Sequence, residues 1–125
     1  MLSHTTEYAI SMLTQLASGE LKKCSELCFR GNIPQGYGRK ILLKLTKAGL
    51  IKSYPGVGGG YKLGKSAKKI TIYDVIKSLN ESLIRPSNNK SINQLIQNEI
   101  FTVYKKHTID EIKRGVMKIE CKCIS

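Results

Sequence analysis

A mainly α-helical domain with a small β-hairpin is the fold class that this 125-residue sequence predicts. Three observations predict it. Apolar residues recur at helical spacing in several separate segments. Two short β-prone runs, 50–54 and 61–63, flank the corner Pro55-Gly56-Val57-Gly58-Gly59-Gly60, which can propagate neither helix nor strand. A basic amphipathic helix directly precedes that hairpin. A helix pair feeding a two-stranded wing is a winged helix-turn-helix, expected over 1–80, with a loop over 81–91 and a long dimerisation helix and tail over 92–125.

In the first segment, Tyr8, Ala9, Met12, Leu13, Leu16 and Ala17 share one helical face between residues 3 and 18. Ser3 or Thr5 can cap that helix, Gly19 can end it, and Ile10 is left for a neighbour or for solvent. A short second helix over 24–30 groups Cys24, Leu27 and Cys28 on one side, where cysteine packs as a small apolar residue. Gly31-Asn32 supplies the turn. Pro34 suits the start of the next helix, because its missing N–H would be unpaired there anyway.

At ~100° per residue, the third helix places Gly36, Arg39, Lys40, Lys44 and Lys47 on one side and Tyr37, Ile41, Leu42, Leu45 and Ala48 on the rest. Gly49 stands where a left-handed cap would stop it. Gly36 and Gly38 in the first turn each cost up to ~1 kcal/mol relative to alanine, so either the turn is frayed or the backbone approaches a partner closely there. Leu43 lies inside the cationic stripe, where a thymine methyl or a neighbouring element would account for it.

Gly59-Gly60-Tyr61-Lys62-Leu63-Gly64-Lys65-Ser66 matches the phosphate-loop pattern of nucleotide triphosphatases. A working phosphate loop follows a buried strand and opens a helix. Here Tyr61-Lys62-Leu63 alternates like a strand, and no later apolar strand ends in an aspartate for magnesium. A P-loop nucleotidase is therefore the remote alternative.

Thr71-Ile72-Tyr73-Asp74 forms a capping box that opens a helix with Ile72, Val75, Ile76 and Leu79 inward, expected to pack across the base of the wing. From 92 to 104 the apolar stripe, including Ile92, Leu95, Ile96, Ile100 and Val103, is too wide for one small domain to cover, so these residues are expected to pair two copies. Thr108-Ile109-Asp110-Glu111 is a second capping box.

The charge points to the partner. The formal net charge is +12, and residues 21–69 hold twelve lysines and arginines against Glu26 alone. Solubility does not need such an imbalance, and a polyanion is the expected ligand. Arg39 and Lys40 are the expected readers of guanine edges, with Tyr37, Lys44, Lys47, Lys52, Lys62 and Lys65 on phosphates. Double-stranded DNA is the expected partner and an RNA- or ribosome-associated role the alternative, although only 6% of residues are aromatic and they do not cluster as stacking platforms. No apolar run approaches the ~18 residues of a bilayer span and no signal pattern opens the chain, so the expectation is a cytoplasmic, non-membrane protein that is not an enzyme. Cys24, Cys28, Cys121 and Cys123, in C-x-x-x-C and C-x-C spacings, are candidate redox or metal ligands, with no cofactor predicted.

Over about its first 80 residues the chain resembles the family of small bacterial regulators that includes the iron-sulphur cluster regulator, the nitric-oxide-sensitive repressor and the cysteine-metabolism repressor. The residues that carry the likeness are Tyr8-Ala9 and Leu13, Tyr37 and Leu45, Lys47-Ala48-Gly49-Leu50-Ile51-Lys52-Ser53, Gly59-Gly60-Tyr61-Lys62-Leu63 and Ile70-Thr71-Ile72-Tyr73-Asp74-Val75-Ile76. The resemblance implies a homodimeric transcription factor, with third helices in successive major grooves and wings, Gly59, Gly60 and Tyr61 included, reaching the flanking minor groove of a palindromic operator. A repressor that acts by occupying operator DNA is the expected mode of action. Two departures stand out: Pro55 occupies a position often held by arginine, and the loop over 82–91 lacks the three cysteines that hold an iron-sulphur cluster in the family's cluster-binding members.

Overall fold

The computed structural model describes residues 4–79, 102, 103 and 105–115. Its elements are α1 (His4–Leu16), α2 (Cys24–Gly31), α3 (Gln35–Lys47), β1 (Ile51–Tyr54), β2 (Gly60–Leu63), a single 3-10 turn (Ala67–Lys69), α4 (Ile72–Ser78) and α5 (Ile109–Arg114). Among the described residues no helix is long and apolar enough to cross a membrane.

The helical periodicities become one core. Ala9, Met12, Leu13 and Leu16 of α1 meet Leu27 and Cys28 of α2, Ile41, Leu42 and Leu45 of α3, Val75 of α4 and Leu79 just after it. A satellite cluster forms where Ile72 and Ile76 of α4 receive Ile10, so the leftover residue of α1 finds a neighbour rather than solvent. α4 packs chiefly on α1 and α3 and not, as its place after the wing suggests, across the wing's base. Its capping box is complete: Thr71 Oγ1 accepts from the Asp74 N–H and Asp74 Oδ2 accepts from the Thr71 N–H, both at 3.1 Å.

The turn between α2 and α3 rests on Asn32, whose φ of 54° puts it in the left-handed region. Asparagine tolerates that region better than most residues, and from it the Ile33 N–H reaches the Cys28 carbonyl at 2.9 Å. Pro34 precedes α3 as its cap residue, and the first turn is intact, with the Gly38 N–H donating to the Pro34 carbonyl at 2.8 Å. Thr5 does not cap α1. It lies inside the helix, and its hydroxyl pairs with that of Tyr37.

β1 and β2 pair antiparallel in the register Ile51↔Leu63, Lys52↔Lys62, Ser53↔Tyr61 and Tyr54↔Gly60. Lys22 adds one further rung by exchanging both backbone hydrogen bonds with Tyr61. This edge contact ties the wing to the segment before α2. The pattern that resembled a phosphate loop is therefore a strand followed by a turn, and Ser66 caps three residues of 3-10 helix instead of opening an α-helix.

α5 returns to the first eighty residues. Thr108 bridges Thr71, the Ile109 N–H donates to the Ile70 carbonyl at 2.8 Å, and Ile109 is fully buried in the core. Only half of the second capping box forms. Thr108 Oγ1 accepts from the Glu111 N–H at 3.3 Å, while the Glu111 carboxylate turns to His107 Nδ1 at 2.9 Å. Lys105 Nζ sits 4.9 Å from the Tyr73 ring centre, a second tie between this segment and α4.

The proposed dimerisation residues Ile92, Leu95, Ile96 and Ile100 lie outside the described residues, as do the 82–91 loop, Cys121 and Cys123. Val103 is described, helical and 45% exposed.

Candidate nucleic-acid interface

The core face of α3 is filled by Gly38, Ile41, Leu42 and Leu45, which leaves Arg39, Lys40, Leu43, Lys44 and Lys47 on its open face. The opposition follows from the helical period: the buried set recurs at i, i+3, i+4 and i+7, so the cations between must point outward. Tyr37 sits at the boundary, half exposed, edge-on to Tyr8 with ring centres 5.7 Å apart. Its hydroxyl, bonded to Thr5, is thereby held in place beside Lys40 and Lys44 around a shallow recess.

The wing carries the other cations. Lys52 and Lys62 are directly opposite in the strand register, which puts both on one face, and both are exposed. Like charges at opposed positions destabilise a hairpin unless an anion lies between or above them. Lys65, just after β2, lines a hollow with Lys44, Lys47, Lys77 and Asp74. The last turn of α3, the end of the wing and α4 thus converge on one basic concavity.

Ion pairs among the described residues are found elsewhere. Glu26 holds Lys22 at 3.4 Å and Arg30 at 3.7 Å, and Asp110 holds Arg114 at 2.9 Å. Within that set none of Arg39, Lys40, Lys44, Lys47, Lys52, Lys62 or Lys65 has a carboxylate partner.

The glycines divide by cause. A Cβ on Gly38 would lie 2.3 Å from Cys28 Sγ and 3.1 Å from Met12 Cε, so this residue is small because α3 crosses α2 and α1 there. Gly59 and Gly60 have equally local reasons: a Cβ would lie 1.9 Å from the Tyr54 carbonyl oxygen in one case and 2.7 Å from that of Lys22 in the other. Gly36 has no such reason. It is exposed, and a Cβ there meets nothing within 4 Å. Tyr61 is half-buried against the core, its backbone committed to Lys22.

Sequence spacing did not single out Lys77, which joins the basic concavity from a different helix. Nor did it connect Cys28 with Gly38, ten residues apart; a small residue opposite a cysteine in a helix-turn-helix was the available sign.

Cys24 and Cys28 have their sulphurs 3.9 Å apart. Burial pushes the Cys28 thiol up to about 11, the charge and hydrogen bond of Cys24 add to the rise, and Arg39 opposes it. At neutral pH Cys28 is a protonated thiol, a weaker nucleophile than a thiolate. Among the described residues no group of three or more histidine, cysteine, aspartate or glutamate side chains is placed to hold a metal ion.

The chain is similar in sequence to known regulators and in fold to solved structures. The chain is 32% identical over 87 residues to the HTH-type transcriptional regulator IscR of Cereibacter sphaeroides, covering 66% of this chain and 56% of the relative. It is 34% identical over 85 residues to the IscR of Vibrio vulnificus, covering 66% and 51% respectively. It spans about half the length of the curated relatives it matches. Its fold is that of CymR, the global cysteine regulator of B. subtilis (TM-score 0.80, 21% identity, 92% of this chain and 97% of that one). It is also that of IscR from T. potens (TM-score 0.80, 24% identity, 95% and 90%). Over residues 2–116 the chain matches the model of the Rrf2 family, described as iron-dependent transcriptional regulator, and it belongs to that family.

Proposed function

We propose that this chain is a cytoplasmic, homodimeric transcription regulator that represses by occupying a palindromic operator in double-stranded DNA. The observation that carries the reading is the set of exposed cations on α3 and the wing with no carboxylate partner among the described residues. α3 enters the major groove with Arg39 and Lys40 at guanine edges, while Tyr37, Lys44, Lys47, Lys52, Lys62 and Lys65 meet phosphates. Two copies pair through the stripe of Ile92, Leu95, Ile96, Ile100 and Val103, and an isologous pairing matches a two-fold operator. The regulator works without the family's iron-sulphur cluster. Cys24 and Cys28 pack as thiols, and any redox or metal response falls to Cys121 and Cys123.

Two substitutions separate base reading from backbone positioning. Arg39→Ala is expected to lose ~1–3 kcal/mol on a specific duplex and little on a scrambled one, whereas Lys62→Ala weakens both alike. Fluorescence anisotropy with the two duplexes reads the difference. Equal losses on both duplexes for both variants would remove Arg39 from the base-reading set.

Gly36 supplies an independent check. With open space around it, Gly36→Ala is expected to gain up to ~1 kcal/mol of stability from helix propensity in thermal unfolding. If DNA backbone or base edges approach that position closely, the same methyl lowers duplex affinity. A variant both more stable and equally tight would show that Gly36 lies off the interface.

A further inference from the structure

Leu43 is 56% exposed in the middle of the cationic face of α3. Arg39 and Lys47 lie one helical turn to either side of it, at i−4 and i+4, and Lys40 at i−3; all three are exposed. The core has no vacancy for it, because Ile41, Leu42 and Leu45 already fill the inner face with at most 1% of their surface open. A large apolar side chain ringed by cations that have no carboxylate partner among the described residues fits a partner that offers an apolar group between two rows of anions. A second copy of this face would bring like charges together. The DNA major groove has the required pattern: phosphates along both walls and, on its floor, the 5-methyl group of thymine, the one apolar group a base projects there.

We propose that Leu43 is a specificity-determining residue that takes a thymine methyl in the major groove. The proposal rests on the duplex-DNA reading given above and deepens it, since Arg39 and Lys40 read hydrogen-bonding edges and Leu43 adds an apolar test one turn further along the helix. It also separates DNA from RNA at the level of one side chain. Uracil lacks the methyl, and the deep, narrow major groove of an RNA duplex does not admit the helix.

The test uses the full chain and a duplex that it enriches from a randomised DNA pool. Each thymine is replaced in turn by deoxyuridine, which removes the methyl and keeps the pairing edge. The wild type is expected to lose about fourfold in affinity at one or two positions per half-site, the worth of one methyl-sized apolar contact. Leu43→Ala, whose truncation removes an exposed side chain and leaves the core intact, is expected to bind more weakly and to be indifferent to deoxyuridine at those same positions. Wild-type indifference at every thymine would overturn the proposal while the DNA reading stands. So would a Leu43→Ala protein that keeps the wild-type sensitivity, or an enriched duplex with no thymine. Failure to enrich any duplex would overturn the DNA reading and this proposal together.

Discussion

Raising salt from 50 to 200 mM is expected to weaken binding to duplex DNA by about a thousandfold or more. The cause is the release of condensed counterions when lysines neutralise phosphates, with a log–log slope of about −0.9 per contact. Lys44, Lys47, Lys52, Lys62 and Lys65 are exposed and have no carboxylate partner among the described residues, and two copies on one operator double that set. At least six phosphate contacts then give a slope of about −5 or steeper. Glu26 does not reduce the effect, since it is engaged with Lys22 and Arg30. A titration that stays nearly flat over this range would mean that the basic face does not meet a polyanion.

Gly38→Ala is expected to destabilise the fold, although helix propensity alone predicts the reverse. Alanine gains up to ~1 kcal/mol over glycine inside a helix. Against this, the new Cβ would lie 2.3 Å from Cys28 Sγ, and Cys28 is buried with a single side-chain torsion, so the sulphur has little room to swing away. Overpacking of this kind costs ~1–3 kcal/mol, and the net loss should be about 1–2 kcal/mol, or roughly 4–16 °C in melting temperature. Cys28→Ala removes the sulphur. In the Gly38→Ala background it should therefore restore stability, whereas alone it destabilises by opening a small cavity. Denaturant melts of the four proteins measure the coupling. If Gly38→Ala stabilises as Gly36→Ala does, the tight crossing of α2 and α3 is wrong.

Much of the architecture was legible because its causes are local. The stripe from Ala9 to Leu16 and the Ile41, Leu42, Leu45 set each commit one face to the core, and the Thr71–Asp74 capping box marks where α4 begins. The glycine-rich corner fixed the hairpin, with Gly56 at a φ of 99° where other residues are strained. What escaped were contacts between elements. Gly59 and Gly60 look like residues kept small for a ligand, yet the near carbonyls of Tyr54 and Lys22 account for them. The return of α5 depends on Thr108 pairing with Thr71 and on Ile109 reaching the core, across some thirty-seven positions that no periodicity spans. Glu111 illustrates the same limit: its spacing from Thr108 satisfies the capping-box pattern, but His107 competes for the carboxylate and wins.

In the interface, the sequence shows which residues are cationic and on which side of α3 they fall. It does not show that Lys52 and Lys62 oppose each other across the hairpin, because that register depends on how the 55–59 turn closes. Nor does it show that Lys77 joins Lys44, Lys47 and Lys65, because that needs the packing of α4 on α3.

The most direct measurement is an equilibrium competition at near-physiological salt, in which the full chain, bound to a labelled duplex enriched from a randomised pool, is challenged with unlabelled specific duplex, scrambled duplex and bulk RNA. Sequence-specific regulators favour their site over non-specific DNA by a thousandfold or more. The account predicts that order of preference, with RNA no better than the scrambled duplex. Displacement by bulk RNA as readily as by the specific duplex would contradict it.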